Sequence, residues 1–319
     1  MSKMKVGTAM IKQQIFPIET DFNWYDVNGL NEADSRRLQT EFYFTPEIIS
    51  YVSDRHERPH YDYDQYTDTH LLVYDVPVWP TTTIKHFTSR PITFLLQDKN
   101  LFSFHTIETS YVFDEFNDPQ VLRWLSHAQD VTELLAIFLM YASQYFHLAI
   151  TQLDAERNDL DVKLSDYIDN EDLVELSNIE KSLVYLSSSI QTDQMMLRSL
   201  QHSRLTFSKA AKERLDDVLI ESSQSSEMVQ ISRQVTKTLS STSNNMMNNN
   251  LNDTMKFLTV WSIVLTIPTI LTGFYGMNVK LPVLGASYDW IVIILITVLL
   301  MVWLIFFMQI GRASCRERV

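Results

Sequence analysis

The sequence has little cysteine, little glycine and comparatively little positive charge, and each shortage argues against a class of site. Its single cysteine, Cys315, excludes a disulfide within one subunit and a zinc site built from several cysteines. It has six glycines and no glycine-rich phosphate loop, so a nucleotide-binding site lacks its main element. The net charge of −13 argues against nucleic acid as a partner, because phosphate binding needs a basic surface. That charge fits either ordinary solubility or an acidic vestibule that concentrates cations.

Two long segments near the C-terminus have almost no charge. Phe257–Tyr275 contains no ionisable side chain except the phenol of its last residue, and Trp290–Met308 contains none. Each is long enough to cross a hydrocarbon core about 30 Å thick as a helix. A third apolar stretch, Leu134–Ala142, is too short to span, so we predict buried core there. The sequence therefore predicts a multi-pass protein of the cell membrane, with two transmembrane helices in the lipid bilayer.

The distribution of basic residues predicts how these spans are oriented. The N-terminal segment Met1–Gln14 lacks the continuous apolar run of a signal peptide, so the large first part of the chain is expected in the cytoplasm. The loop between the spans offers only Lys280. Basic residues flank the spans on the opposite side: Arg233, Lys237, Lys256, Arg312, Arg316 and Arg318. By the positive-inside rule, both termini are expected in the cytoplasm.

The remaining chain divides by its periodicity into a mixed part and a helical part. Runs rich in Val, Leu and Phe predict strands at His70–Val78, Ile92–Leu96 and Leu101–His105, within an α/β or α+β domain. From about Val131 the pattern is helical, and one apolar seam repeats at three- and four-residue steps. The seam consists of Leu176, Ile179, Leu183, Leu186 and Ile190.

Polar clusters predict helix breaks at Tyr167–Asp172 and His202–Ser208. Neither Gly nor Pro interrupts the chain from Lys209 to Pro268, which predicts one helix running into the first span. We predict four regions: a cytoplasmic α/β domain at 1–130, a helical stalk ending in a long pore helix at 131–255, a transmembrane domain at 256–310 with spans at about 257–275 and 290–308, and a cytoplasmic tail at 311–319.

A stripe of small and polar residues lies along one face of the first span. It consists of Thr259, Ser262, Thr266, Thr269 and Gly273, and the same register continues backwards through Met255, Asn252, Asn248 and Asn245. Such a stripe is typical of a helix-packing face, with hydroxyls bonded to backbone carbonyls, or of a pore. The Asn-rich continuation favours the pore, because a simple packing face would turn to Leu or Ile. Two helices cannot enclose a water-filled path, so a pore requires a symmetric ring of subunits.

A short motif follows the first span directly. At Tyr275-Gly276-Met277-Asn278 the sequence resembles the CorA family of magnesium transporters, whose signature is a GMN tripeptide that ends the first of two C-terminal spans. The resemblance also covers further segments: Met255–Thr259, Pro268 and Trp24–Asp26. It implies a homopentameric funnel of cytoplasmic α/β domains and long stalk helices, with a pore lined by the first span.

The resemblance also implies roles for individual residues. It places the selectivity filter at Gly276, Met277 and Asn278, and a hydrophobic constriction at Met255 and Leu258. Together with the stripe, it predicts the pore-lining residues Asn252, Met255, Leu258, Thr259, Ser262, Thr266, Thr269 and Gly273. Neutral oxygens such as the Asn278 amide suit hydrated Mg²⁺, which gives up its waters reluctantly and must also be released. Apart from the family context, Gly276 and Asn278 also fit a plain helix end.

The implied function is passive uptake of Mg²⁺, with Co²⁺ and Ni²⁺ as further ions, driven by the membrane potential and closed by cytoplasmic Mg²⁺. Mg²⁺ is then both transported ion and regulator, with no organic cofactor, and the chain is not an enzyme. One regulatory carboxylate of the family matches Asp217, beside Asp216; a solvated acidic helix start is the alternative. The family often has methionine at the position of Thr266 and an acidic loop where Lys280 stands, so zinc transport stays open.

A rival interpretation is a membrane-anchored metal-dependent hydrolase. His56-Glu57-Arg58-Pro59-His60 matches the zinc-protease pattern H-E-x-x-H, which requires both histidines on one face of a helix. Pro59 argues against that helix. The nearby acidic residues Asp62, Asp64 and Asp68 lack the glycine and terminal glutamate of a calcium loop, so we predict a structural role for them. A passive coiled-coil scaffold is disfavoured by the polar stripe.

Overall fold

The computed structural model describes residues 11–166, 169–276 and 289–316. The chain forms two compact units, Met1–Ser240 and Ser241–Val319. The first unit contains a six-stranded sheet with the order β1-β2-β6-β5-β4-β3, in which β2 and β6 are parallel and the other neighbours antiparallel. Its strands are β1 Ile11–Gln14, β2 Asn23–Asn28, β3 His60–Asp64, β4 Thr69–Val78, β5 Thr88–Gln97 and β6 Asn100–His105. All three predicted strands are confirmed.

Helices follow and flank the strands. They are α1 Glu32–Glu41, α2 Pro46–Ser53, α3 Tyr111–Asp114, α4 Pro119–Leu125, α5 Val131–Asp166, α6 Asn170–Gln201, α7 Lys209–Tyr275 and α8 Asp289–Arg316, with a 3₁₀ turn at Glu115–Asn117. The mixed α/β region and the long helices expected from the sequence are therefore confirmed. Both predicted breaks are confirmed as well, since α6 ends at Gln201 before α7 begins at Lys209, and Asp169 caps α6 through the Asn170 amide. Residues 167 and 168 lie outside the described residues.

The sheet is buried on both faces because successive strand residues point to opposite sides. On one face, Leu72 and Tyr74 of β4 join the core formed with α5 and α6. On the other face, Leu71 and Val73 join a smaller core that includes Leu38 of α1. Helical layers therefore cover both faces of the sheet, which explains why the apolar run of β4 is continuous.

Helix α5 supplies the centre of the larger core. The apolar stretch Leu134–Ala142, predicted as buried core, is buried except at Met140 and Tyr141, which are half-buried. Phe138 contacts the rings of Trp24 and Phe116, each at a centroid distance of 4.8 Å. All five residues of the predicted apolar seam are also buried on α6. The long helices of the first unit therefore pack against one another, as the periodicity indicated.

We expect Phe138→Ala to destabilise the first unit by about 3–5 kcal/mol, because the change removes buried contacts and leaves a cavity. Val162→Ala, at a position of α5 with 70% exposure, serves as the matched control and should have little effect. The measurement is the apparent unfolding temperature of the full-length protein in detergent. Equal unfolding temperatures for the two variants would contradict this assignment of the core.

Candidate functional site

The polar stripe lies on an exposed face of α7. Met255 and Leu258 expose 61% and 60% of their surface, and the Thr, Ser and Gly residues of the stripe are exposed too. Val264, which lies on the opposite side of the helix at 100° per residue, is only 2% exposed. This part of α7 therefore has one covered face, and the stripe lies on the uncovered one.

The hydroxyl groups of the stripe bond to their own helix. Thr259 donates to the Met255 carbonyl at 2.7 Å, and Thr266 donates to the Ser262 carbonyl at 2.7 Å. Thr269 donates to the Leu265 carbonyl, one turn earlier in the helix, at 3.0 Å. A hydroxyl that donates its proton internally keeps its oxygen lone pairs as acceptors, which suits hydrogen bonds from the water shell of a cation. A packing face would show the same internal bonds, so this geometry fits both interpretations of the stripe.

The apolar part of α7 differs sharply from that of α5. Of the most apolar stretch of α7, 6% is buried inside the chain, compared with 61% of the corresponding stretch of α5. Helix α8 likewise carries an apolar stretch, Ile294–Phe306, with many exposed side chains. The α5 stretch is a core helix, whereas α7 presents apolar surface outwards.

Gly276 directly follows the last residue of α7, and its surroundings leave no room for a side chain. Its amide donates to the Thr272 carbonyl at 2.9 Å. A Cβ atom at this position would lie 2.9 Å from that same carbonyl oxygen, closer than a side chain tolerates. The glycine of the predicted filter is thus demanded by the backbone, while Met277 and Asn278 lie outside the described residues.

The predicted regulatory carboxylates lie near the start of α7 and are exposed. Asp216 accepts a hydrogen bond from the Gln201 amide at 2.8 Å. Asp217 is exposed on the adjacent position. Among the described residues, no group of three or more His, Cys, Asp or Glu side chains is placed to hold a metal ion. Asp216 and Asp217 are therefore two exposed carboxylates without a third such ligand among the described residues.

The H-E-x-x-H segment does not form the helical site of a zinc protease. Helix α2 ends at Ser53, His56 lies in the turn that follows, and His60 begins strand β3. The two histidines therefore do not project from one helix face. The His60 ring instead lies 3.7 Å from the Glu57 carboxylate.

The acidic residues of this region have structural partners. Asp68 accepts a hydrogen bond from the Tyr63 hydroxyl at 2.6 Å, and Asp64 accepts one from Thr45 at 3.3 Å. The backbone amide of Tyr63 donates to Asp62 at 2.8 Å. The expected structural role is supported by these contacts.

A buried pair of acidic residues, Asp75 and Asp193, was not anticipated from the sequence. Asp75 interrupts the apolar strand β4, and Asp193 lies on the buried face of α6. They are 118 residues apart, so no local pattern could associate them. A charged residue inside an otherwise apolar strand was the only available signal.

The chain is similar to known transport proteins over most of its length. Residues 19–310 match the family described as CorA-like Mg²⁺ transporter protein. A cobalt/magnesium transport protein, CorA, from Methanocaldococcus jannaschii is 21% identical over 296 residues, which is 90% of each chain.

Solved structures share the fold. The complete structure of the CorA magnesium transporter from Methanocaldococcus jannaschii matches with a TM-score of 0.79 at 19% identity, over 92% of this chain and 93% of that chain. The cytoplasmic domain of ZntB from Vibrio parahaemolyticus matches with a TM-score of 0.57 at 15% identity, over 74% and 90%. Because the family match extends from residue 19 to residue 310, the chain belongs to the CorA family, whose members are transporters or channels and not enzymes.

Proposed function

We propose that this chain is one subunit of a passive channel for Mg²⁺, with Co²⁺ and Ni²⁺ as further substrates, in the cell membrane. The observation that carries the proposal is the exposed polar stripe of α7, which ends at Gly273, just before Gly276, in a member of the CorA family. The similar protein named for cobalt and magnesium transport supports Mg²⁺ and Co²⁺. The channel is a homopentamer, which brings five stripes around one axis.

The exposed apolar surface supports the membrane placement. An apolar stretch of α7 that is 6% buried needs lipid or neighbouring helices to cover it. The transmembrane domain comprises 256–310, with spans at about 257–275 and 290–308, and the tail 311–319 returns to the cytoplasm. The α/β domain at 1–130 and the stalk at 131–255 are cytoplasmic, as is the N-terminus.

In the ring, the stripe faces the axis and the side of Val264 faces away. The water-facing residues are Asn252, Thr259, Ser262, Thr266, Thr269 and Gly273. Met255 and Leu258 form the hydrophobic constriction, where a narrow apolar ring closes by expelling water. Asn252 supplies a ring of amides next to it.

The filter consists of Gly276, Met277 and Asn278. Neutral amide and carbonyl oxygens hold a hydrated dication through its waters, less tightly than carboxylates would, so the ion is also released. The membrane potential drives entry, contributing about 4.6 kcal/mol per 100 mV for two charges at about 2.3 each. No ATP is required for uptake down this gradient.

Cytoplasmic Mg²⁺ closes the channel through Asp216 and Asp217. Their exposed position fits a site that is completed by a neighbouring subunit. When the metal leaves, carboxylates that face each other repel, and this repulsion favours an open arrangement. Zinc transport is the second candidate, because Thr266 and Lys280 depart from the pattern of the family.

We expect Asn278→Ala to lower Mg²⁺ uptake about tenfold or more in liposomes that contain the purified protein, because the amide oxygens of the filter are lost. Asn250→Ala is the matched control, since this exposed asparagine lies on the opposite side of α7 from the stripe. Repeating the uptake with Co²⁺, Ni²⁺ and Zn²⁺ establishes the ion preference. Unchanged Mg²⁺ flux in Asn278→Ala would refute the filter, and no flux in the wild type would refute the channel.

We expect Leu258→Asn to raise Mg²⁺ flux several-fold when Mg²⁺ is abundant on the cytoplasmic side, because a polar ring keeps the constriction hydrated. Leu271→Asn tests the same exchange at a position well away from the stripe and should not raise the flux. The measurement is uptake into liposomes loaded with Mg²⁺. Equal flux through both variants would show that Leu258 does not form the gate.

A further inference from the structure

Two buried acidic residues lie side by side between the sheet and α6. Asp193 of α6 is fully buried, and Asp75 of β4 is 9% exposed. The backbone amide of Asp75 donates to Asp193 Oδ1 at 2.9 Å, which ties the helix to the strand. Charged groups are almost never buried without a paired charge or a proton, so this arrangement requires an explanation.

Hydrogen bonds satisfy only some of the carboxyl oxygens of the pair. Ser189 donates to Asp75 Oδ2 at 2.8 Å and lies 2.6 Å from the Ser89 hydroxyl. Asp193 Oδ2 has no hydrogen-bond partner within the described part of the chain. An ionised carboxylate with a bare, fully buried oxygen is costly, whereas a protonated carboxyl group is far less so.

The charges around the pair do not neutralise two carboxylates. Arg90 of β5 acts on Asp75, but its guanidinium also donates to Glu108 at 3.3 Å and to the Ser89 carbonyl. The other facing groups are Tyr74 of β4 and Glu221 of α7, and His147 of α5 lies 4.0 Å from Glu221. Arg55, His56, Glu57, Arg58 and His86 line the cavity beside Asp75, but within the described part of the chain none of them is hydrogen-bonded to Asp75 or Asp193. Arg90 is therefore the basic group that acts on the pair, and it is shared with Glu108.

Burial favours the neutral form of both carboxyl groups, and the charge of Asp75 adds to this effect at Asp193. Burial is the main cause that raises the pKa of Asp193, and the negative charge of Asp75 raises it further. Burial also raises the pKa of Asp75, against the opposing effect of Ser189, Ser89 and Arg90. Two interacting acids of this kind titrate as a pair.

A cavity open to solvent lies beside Asp75. Asp75, Ser89 and Ser189 line a cavity of about 580 Å³, and the exposed residues Arg55 and His56 also line it. Protons can therefore reach Asp75, and Asp193 lies behind it at hydrogen-bond distance from the Asp75 backbone.

We propose that Asp75 and Asp193 form a proton-binding site that holds a proton at neutral pH, and that releasing this proton at alkaline pH loosens α6 from β4. Two adjacent ionised carboxylates would repel each other across the contact that joins these elements. The change reaches α7, because Gln194, next to Asp193, donates to the Ser222 carbonyl of α7 at 2.9 Å. The ligand of this site is the proton, and the site is distinct from the pore and from Asp216 and Asp217.

The direction of the pH effect follows from the raised pKa. Stability is fully present at acid pH, where the carboxyl is neutral in the folded and unfolded chain, and is lost as pH rises through the folded-state pKa. Asp193→Asn, an uncharged group of nearly the same shape, should remove this loss.

Infrared spectroscopy of the full-length protein in detergent tests proton binding. We expect a protonated-carboxyl band at neutral pH that is present in the wild type and in Asp159→Asn, an exposed control on α5, and absent in Asp193→Asn. Apparent unfolding temperature should fall several degrees toward alkaline pH in the wild type and remain flatter in Asp193→Asn. If that variant does not fold, Asp75→Asn is used, and its band should remain but shift in frequency, because Asp193 stays buried and protonated while its neighbour changes.

Absence of the band in the wild type at neutral pH would overturn the proposal, as would an unchanged band in the variant. A cation held between two ionised carboxylates would produce the first of these results. The effect on transport rests on the proposed function: Mg²⁺ uptake should depend on cytoplasmic-side pH more strongly in the wild type than in Asp193→Asn. Failure of uptake in all variants would refute the channel and leave the infrared result standing.

Discussion

The apolar surface of α7 must be covered by something other than its own chain, and the proposed function depends on that constraint. A helix satisfies its backbone hydrogen bonds internally, so this surface can contact lipid without leaving any backbone amide unpaired. The stripe that ends at Gly273 is the exception on this surface, because its hydroxyl and amide oxygens favour water. The proposed ring of subunits around a water-filled axis would satisfy both demands at once.

Helices α5 and α7 show why composition alone does not reveal a membrane span. Each helix contains an apolar stretch that could be considered as a membrane span, yet 61% of the α5 stretch is buried and only 6% of the α7 stretch. The α5 stretch is covered because the sheet and α6 pack against Phe138 and its neighbours. The length of the uninterrupted apolar run already distinguishes the two helices in the sequence, since the run Leu134–Ala142 of α5 ends at Ser143.

Polar residues have opposite consequences in the two units. On α7 they lie on an exposed face and lower the cost of contact with water. Asp75 and Asp193 are instead removed from water, where the neutral form of a carboxyl group is favoured. Burial, rather than residue type, thus decides whether a polar side chain acts as part of a water-lined surface or as a titrating group.

The strands at His70–Val78 and Leu101–His105, the long helix from Lys209 and the family could be predicted from the amino acids alone, because periodicity, breaker residues and the GMN signature are local features. The stripe could be identified too, since residues three and four apart share a helix face. The covered face of α7, the placement of His56 in a turn and His60 in a strand, and the contact of Asp75 with Asp193 became known from the folded chain. Burial and contacts between residues 118 apart arise from packing, about which a single local pattern carries no information.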